Sequence, residues 1–301
     1  MKELGVLAPI VTPCQRTGEP DLAGLRSVYD DLASAGVRNI FVLGSTGRGP
    51  WFSRTDQAAV CRAVAAYRAK GMLLFAGCTA PGLPGMVENA RAMADAGAAV
   101  AVAAVPPYFR YSQAEIEAIY LAFADGSPLP VVVYDIPALT GTKLDTELVL
   151  RLAKHPNVVG FKDSSADFDR FRDLASALED RPGFWLLQGK EEYLAASLRI
   201  GASGFVVSFV HFAPKLFTGL YRAVREGDDA RADALQARVT AVCRVVRDLE
   251  ANIPESSRLY HLLDIVLRRR GVCGNLLLSH EGEPAEPIRQ AAQKIIEILE
   301  L

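Results

Sequence analysis

The chain has 301 residues, of which 50% are hydrophobic and 23% charged, so it carries ample apolar material for one large core. Its formal net charge of −2 gives no reason to expect nucleic acid or an anionic membrane as partner. The five cysteines are widely spread with no C-x-x-C pair, and no stretch has signal-peptide or membrane-spanning character. A soluble cytoplasmic protein without disulfides is expected.

Short apolar runs recur along the chain at about Gly5–Val11, Asn39–Leu43, Met72–Ala76, Ala98–Val105, Pro130–Tyr134, Val158–Lys162, Trp185–Gln188 and Gly204–Ser208. Most lack strict polar alternation, the pattern of parallel strands covered on both faces. Helical periodicity fills the intervals, with Leu22, Leu25, Val28, Tyr29 and Leu32 marking one face. Ser53-x-x-Asp56 and Ser112-x-x-Glu115 read as capping boxes, and Gly36, Gly71 and Gly97 fall where helices should stop. Strand–helix units in this succession predict a (β/α)8 TIM barrel. A doubly wound open sheet is the rival, but no G-x-G-x-x-G follows the first run. From about Asp228 only helical patterns remain, including Ala230–Glu250 and Pro287–Leu301. Arg268-Arg269-Arg270 before Gly271 suits a helix C-terminus. The expected organisation is a catalytic barrel over 1–225 and a C-terminal helical extension over 226–301.

In such a barrel chemistry belongs at the C-terminal ends of the strands. The second run ends in Gly44-Ser45-Thr46-Gly47-Arg48-Gly49, either an anion nest suited to a carboxylate or a tight turn that needs glycine. Tyr134 closes the fifth run, as a proton shuttle or as an aromatic lid on the core. Lys162 closes the sixth, where lost hydration favours a neutral amine that attacks carbonyls; the alternative is a lysine that caps the strand and reaches solvent. After the seventh run, Gly189, Glu191 and Glu192 offer acceptors for sugar hydroxyls, or first-turn acids matched to a helix dipole. Val207 and Ser208 end the eighth. The four histidines lack metal-ligand spacing, so no metal or other cofactor is expected.

Taken in order, Gly44-Ser45-Thr46-Gly47, Tyr134-x-x-Pro137-x-x-Thr140-Gly141, Gly160-Phe161-Lys162-Asp163-Ser164-Ser165 and Gly201-Ala202-Ser203-Gly204 resemble the dihydrodipicolinate synthase / N-acetylneuraminate lyase family. The resemblance runs from roughly Leu4 to Leu220. It implies a barrel, usually a homotetramer and otherwise a homodimer, with class I aldolase chemistry on pyruvate or another 2-oxo acid and an aldehyde. Lys162 matches the Schiff-base lysine, Tyr134 the proton-shuttling tyrosine, and Ser45 and Thr46 the carboxylate loop, with Ser45 also in the hydroxyl relay. Gly47, Gly189, Glu191, Glu192, Val207 and Ser208 are expected to line the substrate pocket.

Departures from the family pattern bear on substrate. Leu139 stands where dihydrodipicolinate synthases have an arginine, and Ile136–Leu144 looks more like the sugar-acid lyases. Arg48 replaces an acidic residue and is expected to bring positive charge to the pocket mouth. Phe109 lacks the hydroxyl of the family's second tyrosine, so Tyr108 or Tyr111 would have to take its place in the relay. Arg110 adds a further cation, and with Arg48 suggests a dianionic or extended acid as substrate. His211 replaces a common asparagine. The leading expectation is a lyase acting reversibly on a sugar-acid-like 2-oxo acid. Dihydrodipicolinate synthase itself, a hydratase-aldolase or dehydratase, and a non-catalytic 2-oxo acid binding barrel are the alternatives.

Overall fold

In the computed structural model, which describes residues 3–249 and 253–301, eight parallel strands close into a barrel in sequence order. They are β1 (Gly5–Pro9), β2 (Asn39–Val42), β3 (Leu74–Gly77), β4 (Val100–Ala104), β5 (Val131–Asp135), β6 (Val158–Asp163), β7 (Trp185–Gln188) and β8 (Gly204–Phe205). Each lies on one of the apolar runs of the sequence. The eighth is shorter than expected, because Ser208–His211 turns into a 3₁₀ helix. The seam closes through Gly5 opposite Gly204 and Val6 opposite Phe205.

Eight helices follow the first seven strands, two of them after β5: α1 (Leu22–Ser34), α2 (Arg54–Tyr67), α3 (Leu83–Asp95), α4 (Gln113–Gly126), α5 (Pro137–Thr140), α6 (Thr146–Leu152), α7 (Phe168–Ala177) and α8 (Leu194–Arg199). After β8 come α9 (Pro214–Arg225), α10 (Asp229–Arg247), α11 (Glu255–Arg269) and α12 (Glu286–Leu299). Glu250, the expected end of α10, lies outside the described residues, as do Met1 and Lys2 of the expected barrel. No described helix is long and apolar enough to cross a membrane.

Local chemistry explains the boundaries. Ser112 and Glu115 form the reciprocal capping box at α4. At α2 only half of one forms: Ser53 accepts the Asp56 N–H at 3.2 Å, while the shorter Asp56 side chain takes the Ser53 hydroxyl instead of reaching back to the backbone. Gly36 and Gly97 end α1 and α3 with φ of +87° and +95°, values that glycine adopts without steric cost. Gly71 belongs to the turn before β3, past the end of α2.

Strand alternation sorts the core into two layers. Leu7, Phe41, Phe75, Val102, Val132 and Leu187 fill the barrel interior. A second apolar layer lies between strands and helices and continues into Leu262, Leu263 and Val266 of α11 and Ile288, Ala292 and Ile295 of α12. Arg268 pairs with Asp264, and Arg270 grips Asp31 of α1 at 2.6 Å and donates to the His211 carbonyl at 2.8 Å. The basic cluster thus docks α11 on the barrel as well as ending a helix.

Candidate active site

Lys162 sits on the inner face of β6 and is 4% exposed, while its neighbours Phe161 and Asp163 point outward. Its Nζ lies 3.9 Å from the centroid of the Tyr134 ring and 5.4 Å from that of Phe41. Tyr134 and Lys162 are register partners on adjacent strands, so the pairing of β5 with β6 itself brings them together. The amine is thus largely buried against two aromatic rings, at the edge of a cavity.

The Tyr134 hydroxyl lies 3.4 Å from Ser45 Oγ, on the loop after β2. That loop begins at Leu43, held at φ +60°. A Cβ at Gly49 or at Gly77 would collide with the Leu43 carbonyl, so both glycines are required for the loop to fold back over β3. Arg48 N–H donates to the Ser45 carbonyl at 3.1 Å, Gly49 N–H to Gly44 at 3.1 Å, and the Thr12 hydroxyl to the Gly47 carbonyl at 2.9 Å. The segment is a tight turn, and its Ser45 and Thr46 line the site.

A cavity of about 170 Å³ gathers Lys162, Tyr134, Ser45, Thr46, Leu139, Gly189, Glu191, Val207 and Ser208. Ser164, Lys190 and Tyr260, not singled out from sequence, line it as well. Glu191 is half-buried, and desolvation pushes its carboxyl upward. The Ser208 hydroxyl donates to it at 3.2 Å and the Phe209 N–H at 3.4 Å. Gly189 has a packing reason too, since a Cβ there would strike the Ser164 hydroxyl and the Asp163 carbonyl. Glu192 faces a neighbouring cavity of about 280 Å³ and pairs with Arg247 at 2.9 Å.

Several expected pocket residues stand elsewhere. Arg48 does not supply a free cation at the mouth. Its guanidinium is 2.8 Å from Glu281, donates to the Leu276 carbonyl at 3.2 Å and lies 3.5 Å from the Tyr260 ring centroid. Arg110 is exposed and donates to the Gly141 carbonyl at the end of α5. Neither arginine, nor Gly47, lines the cavity around Lys162. Tyr108 and Phe109 are 89% and 60% exposed and pack edge to face at 4.9 Å, also outside that cavity. The argument for a dianionic substrate from paired arginines therefore loses its basis.

Two structural roles were not read from sequence. Asp135 and Asp163 follow Tyr134 and Lys162, and because strand residues alternate, both carboxylates point outward. There Arg170 of α7 bonds both, at 2.7 Å each, and also donates to the Leu144 carbonyl. Burial raises the Asp135 carboxyl, and the Arg170 guanidinium opposes that rise. One guanidinium thus pins the outer faces of the two strand ends whose inner faces carry Tyr134 and Lys162. The legible signal was the repeated aromatic-or-lysine-then-Asp at two successive strand ends.

His211 fills the second role. The imidazole is fully buried, with Nε2 facing the Pro9 carbonyl at 3.1 Å and the Val11 N–H at 3.3 Å. It serves one or the other according to tautomer, and so bridges β1 to the turn after the short β8. Desolvation lowers its pKa to about 4. The folded state therefore binds this proton more weakly than the unfolded chain, and stability is lost as pH falls from about 6.5 toward about 4. Between pH 7 and pH 5 the loss should be about 2 kcal/mol. Urea midpoints at the two pH values should show it, and His211→Asn should flatten that part of the difference.

A family model for the dihydrodipicolinate synthetase family matches residues 2–272. A 4-hydroxy-tetrahydrodipicolinate synthase of Streptomyces coelicolor is 32% identical over 94% of this chain and 86% of its own length. A probable 2-dehydro-3-deoxy-D-pentonate aldolase of Escherichia coli K12 is 30% identical over 78% of this chain and 79% of its own. Among solved structures, a prophage protein of the dihydrodipicolinic acid synthase family from E. coli K12, in complex with pyruvate, superposes with a TM-score of 0.90 at 25% identity, covering 99% of this chain and 98% of that one. Fold, strand-end chemistry and sequence agree, and the chain belongs to the dihydrodipicolinate synthetase family.

Proposed function

We propose that the protein is a carbon–carbon lyase that forms a Schiff base between Lys162 and pyruvate, or a related 2-oxo acid, and reversibly cleaves a sugar-acid-like 2-oxo acid. The observation that carries this is the buried Lys162 amine, packed 3.9 Å from the Tyr134 ring centroid while the Tyr134 hydroxyl meets Ser45 at 3.4 Å. The substrate carboxylate is held by the Ser45–Thr46 loop. Lys162 Nζ adds to the C2 carbonyl, water leaves, and the iminium draws the electrons of the C3–C4 bond toward nitrogen. Cleavage releases an aldehyde and leaves an enamine. Tyr134 Oη carries the proton from the C4 hydroxyl to the enamine carbon, and hydrolysis of the resulting iminium frees pyruvate and the amine. Glu191 and Ser208 accept and donate toward the hydroxylated end of the substrate.

Leu139 supports the lyase reading over a synthase. It lines the cavity half-exposed and presents no charge to a second carboxylate. The synthase reading is favoured by the 32% identity to a protein of that name. A cleavage assay separates them: 2-oxo-3-deoxy sugar acids should release pyruvate. Failure to cleave any of them, together with condensation of pyruvate and a carboxylate-bearing aldehyde, would establish the synthase instead. Tyr134→Phe should lower turnover about a hundredfold or more, since it removes one proton carrier. It should leave covalent capture of pyruvate by Lys162 intact, which mass spectrometry of the reduced protein reads directly.

The reading includes a homodimer or homotetramer, supported by the exposed Tyr108–Phe109 pair, and a cytoplasmic setting, supported by five free cysteines.

A further inference from the structure

The carboxylate loop is held from outside the barrel strands. Tyr260 of α11 donates its hydroxyl to the Ser45 carbonyl oxygen at 2.7 Å. Its ring lies beneath the Arg48 guanidinium, 3.5 Å from the centroid. Glu281, between α11 and α12, takes that guanidinium with both carboxylate oxygens, at 2.8 and 2.9 Å, and also accepts the Leu278 N–H at 2.6 Å. The two charged side chains are 8% and 7% exposed, so solvent and salt screen this pair far less than a surface contact.

Two attachments thus converge on one short loop, one on the Ser45 backbone and one on the Arg48 side chain. Arg48 needs such support, because it stands at φ +53°, a left-handed conformation that residues other than glycine adopt at a cost. Its own N–H donates to the same Ser45 carbonyl that Tyr260 reaches. That oxygen therefore takes two donors, and its position fixes where the Ser45 hydroxyl and the adjoining Thr46 present themselves.

We infer that Tyr260 and Glu281 are positioning residues for 2-oxo acid binding: the segment after the barrel sets the affinity of the Ser45–Thr46 loop for the substrate carboxylate. They act through Ser45 and Arg48, not on the reacting atoms. The inference rests on the Schiff-base reading of Lys162 and assigns the replacement of an acid by Arg48 to loop anchoring, with no part in substrate charge.

Pyruvate titration with borohydride capture tests it on the full-length protein. Tyr260→Phe keeps the ring under Arg48 and removes the hydroxyl bonded to Ser45. It should raise the half-saturating pyruvate concentration roughly five- to tenfold, the weight of one hydrogen bond, with full capture at saturation. Glu281→Gln should raise it at least as much, and Glu281→Asp should recover part of the loss. A purely structural staple would lower the urea midpoint and leave half-saturation unmoved. Half-saturation within twofold of wild type in Tyr260→Phe therefore overturns the inference, and that variant decides the matter if Glu281→Gln does not fold. Wild-type protein that captures no 2-oxo acid overturns the Schiff-base reading and this one with it, so the two failures are distinguishable.

Discussion

Replacing Lys162 with alanine should reduce turnover by on the order of 10⁴-fold or more, because it removes the amine that packs against Tyr134 and forms the iminium. The fold should survive. Lys162 makes its contacts with the faces of Tyr134 and Phe41, and truncation relieves the cost of keeping an amine at 4% exposure. Urea midpoints within about 1 kcal/mol of wild type, together with lost activity, are the expected result. If an unfolded variant were obtained instead, the amine would be a structural element of the barrel mouth. Lys162→Arg should be equally inactive, since guanidinium stays protonated and does not attack carbonyls.

Arg170→Met should cost about 3–5 kcal/mol of stability, the usual consequence of removing one partner from a buried ionic cluster. It leaves Asp135 and Asp163, 0% and 3% exposed, facing each other without their shared cation. Activity should fall as well, because these two residues flank Tyr134 and Lys162 along the backbone. A second change, Asp135→Asn, should return part of the stability to Arg170→Met by removing one of the two like charges. If Arg170→Met lowered the urea midpoint no more than an exposed ion pair such as Arg26–Asp30 does when broken, the clamp would have no such role.

The barrel was legible because parallel strands covered on both faces must be apolar throughout, and short apolar runs at regular spacing have few other uses. Lys162, Tyr134 and Ser45 could be singled out because a strand end in a barrel is also a place in space: residues far apart in sequence share one rim. What escaped were the partnerships made off that rim. Arg48 looked like a free cation because its partner Glu281 comes 233 positions later, on a segment whose path the strand pattern does not constrain. Arg110 likewise turns to the Gly141 carbonyl, a backbone acceptor that no residue type announces. His211 had no account from sequence because its role is to satisfy backbone groups at and just beyond the end of β1, beside a strand only two residues long. The Asp135–Arg170–Asp163 cluster was hidden by the same alternation that exposed the site: attention to inward residues passes over the outward ones that hold them.

The most direct measurement is borohydride reduction of the wild-type protein in the presence of pyruvate, followed by peptide mapping by mass spectrometry. One reduced pyruvyl group per chain, located on Lys162 and missing from the Lys162→Ala protein, is the predicted result. An unmodified Lys162 after reduction with pyruvate and with longer 2-oxo acids, or an adduct at another lysine that persists in Lys162→Ala, would contradict it.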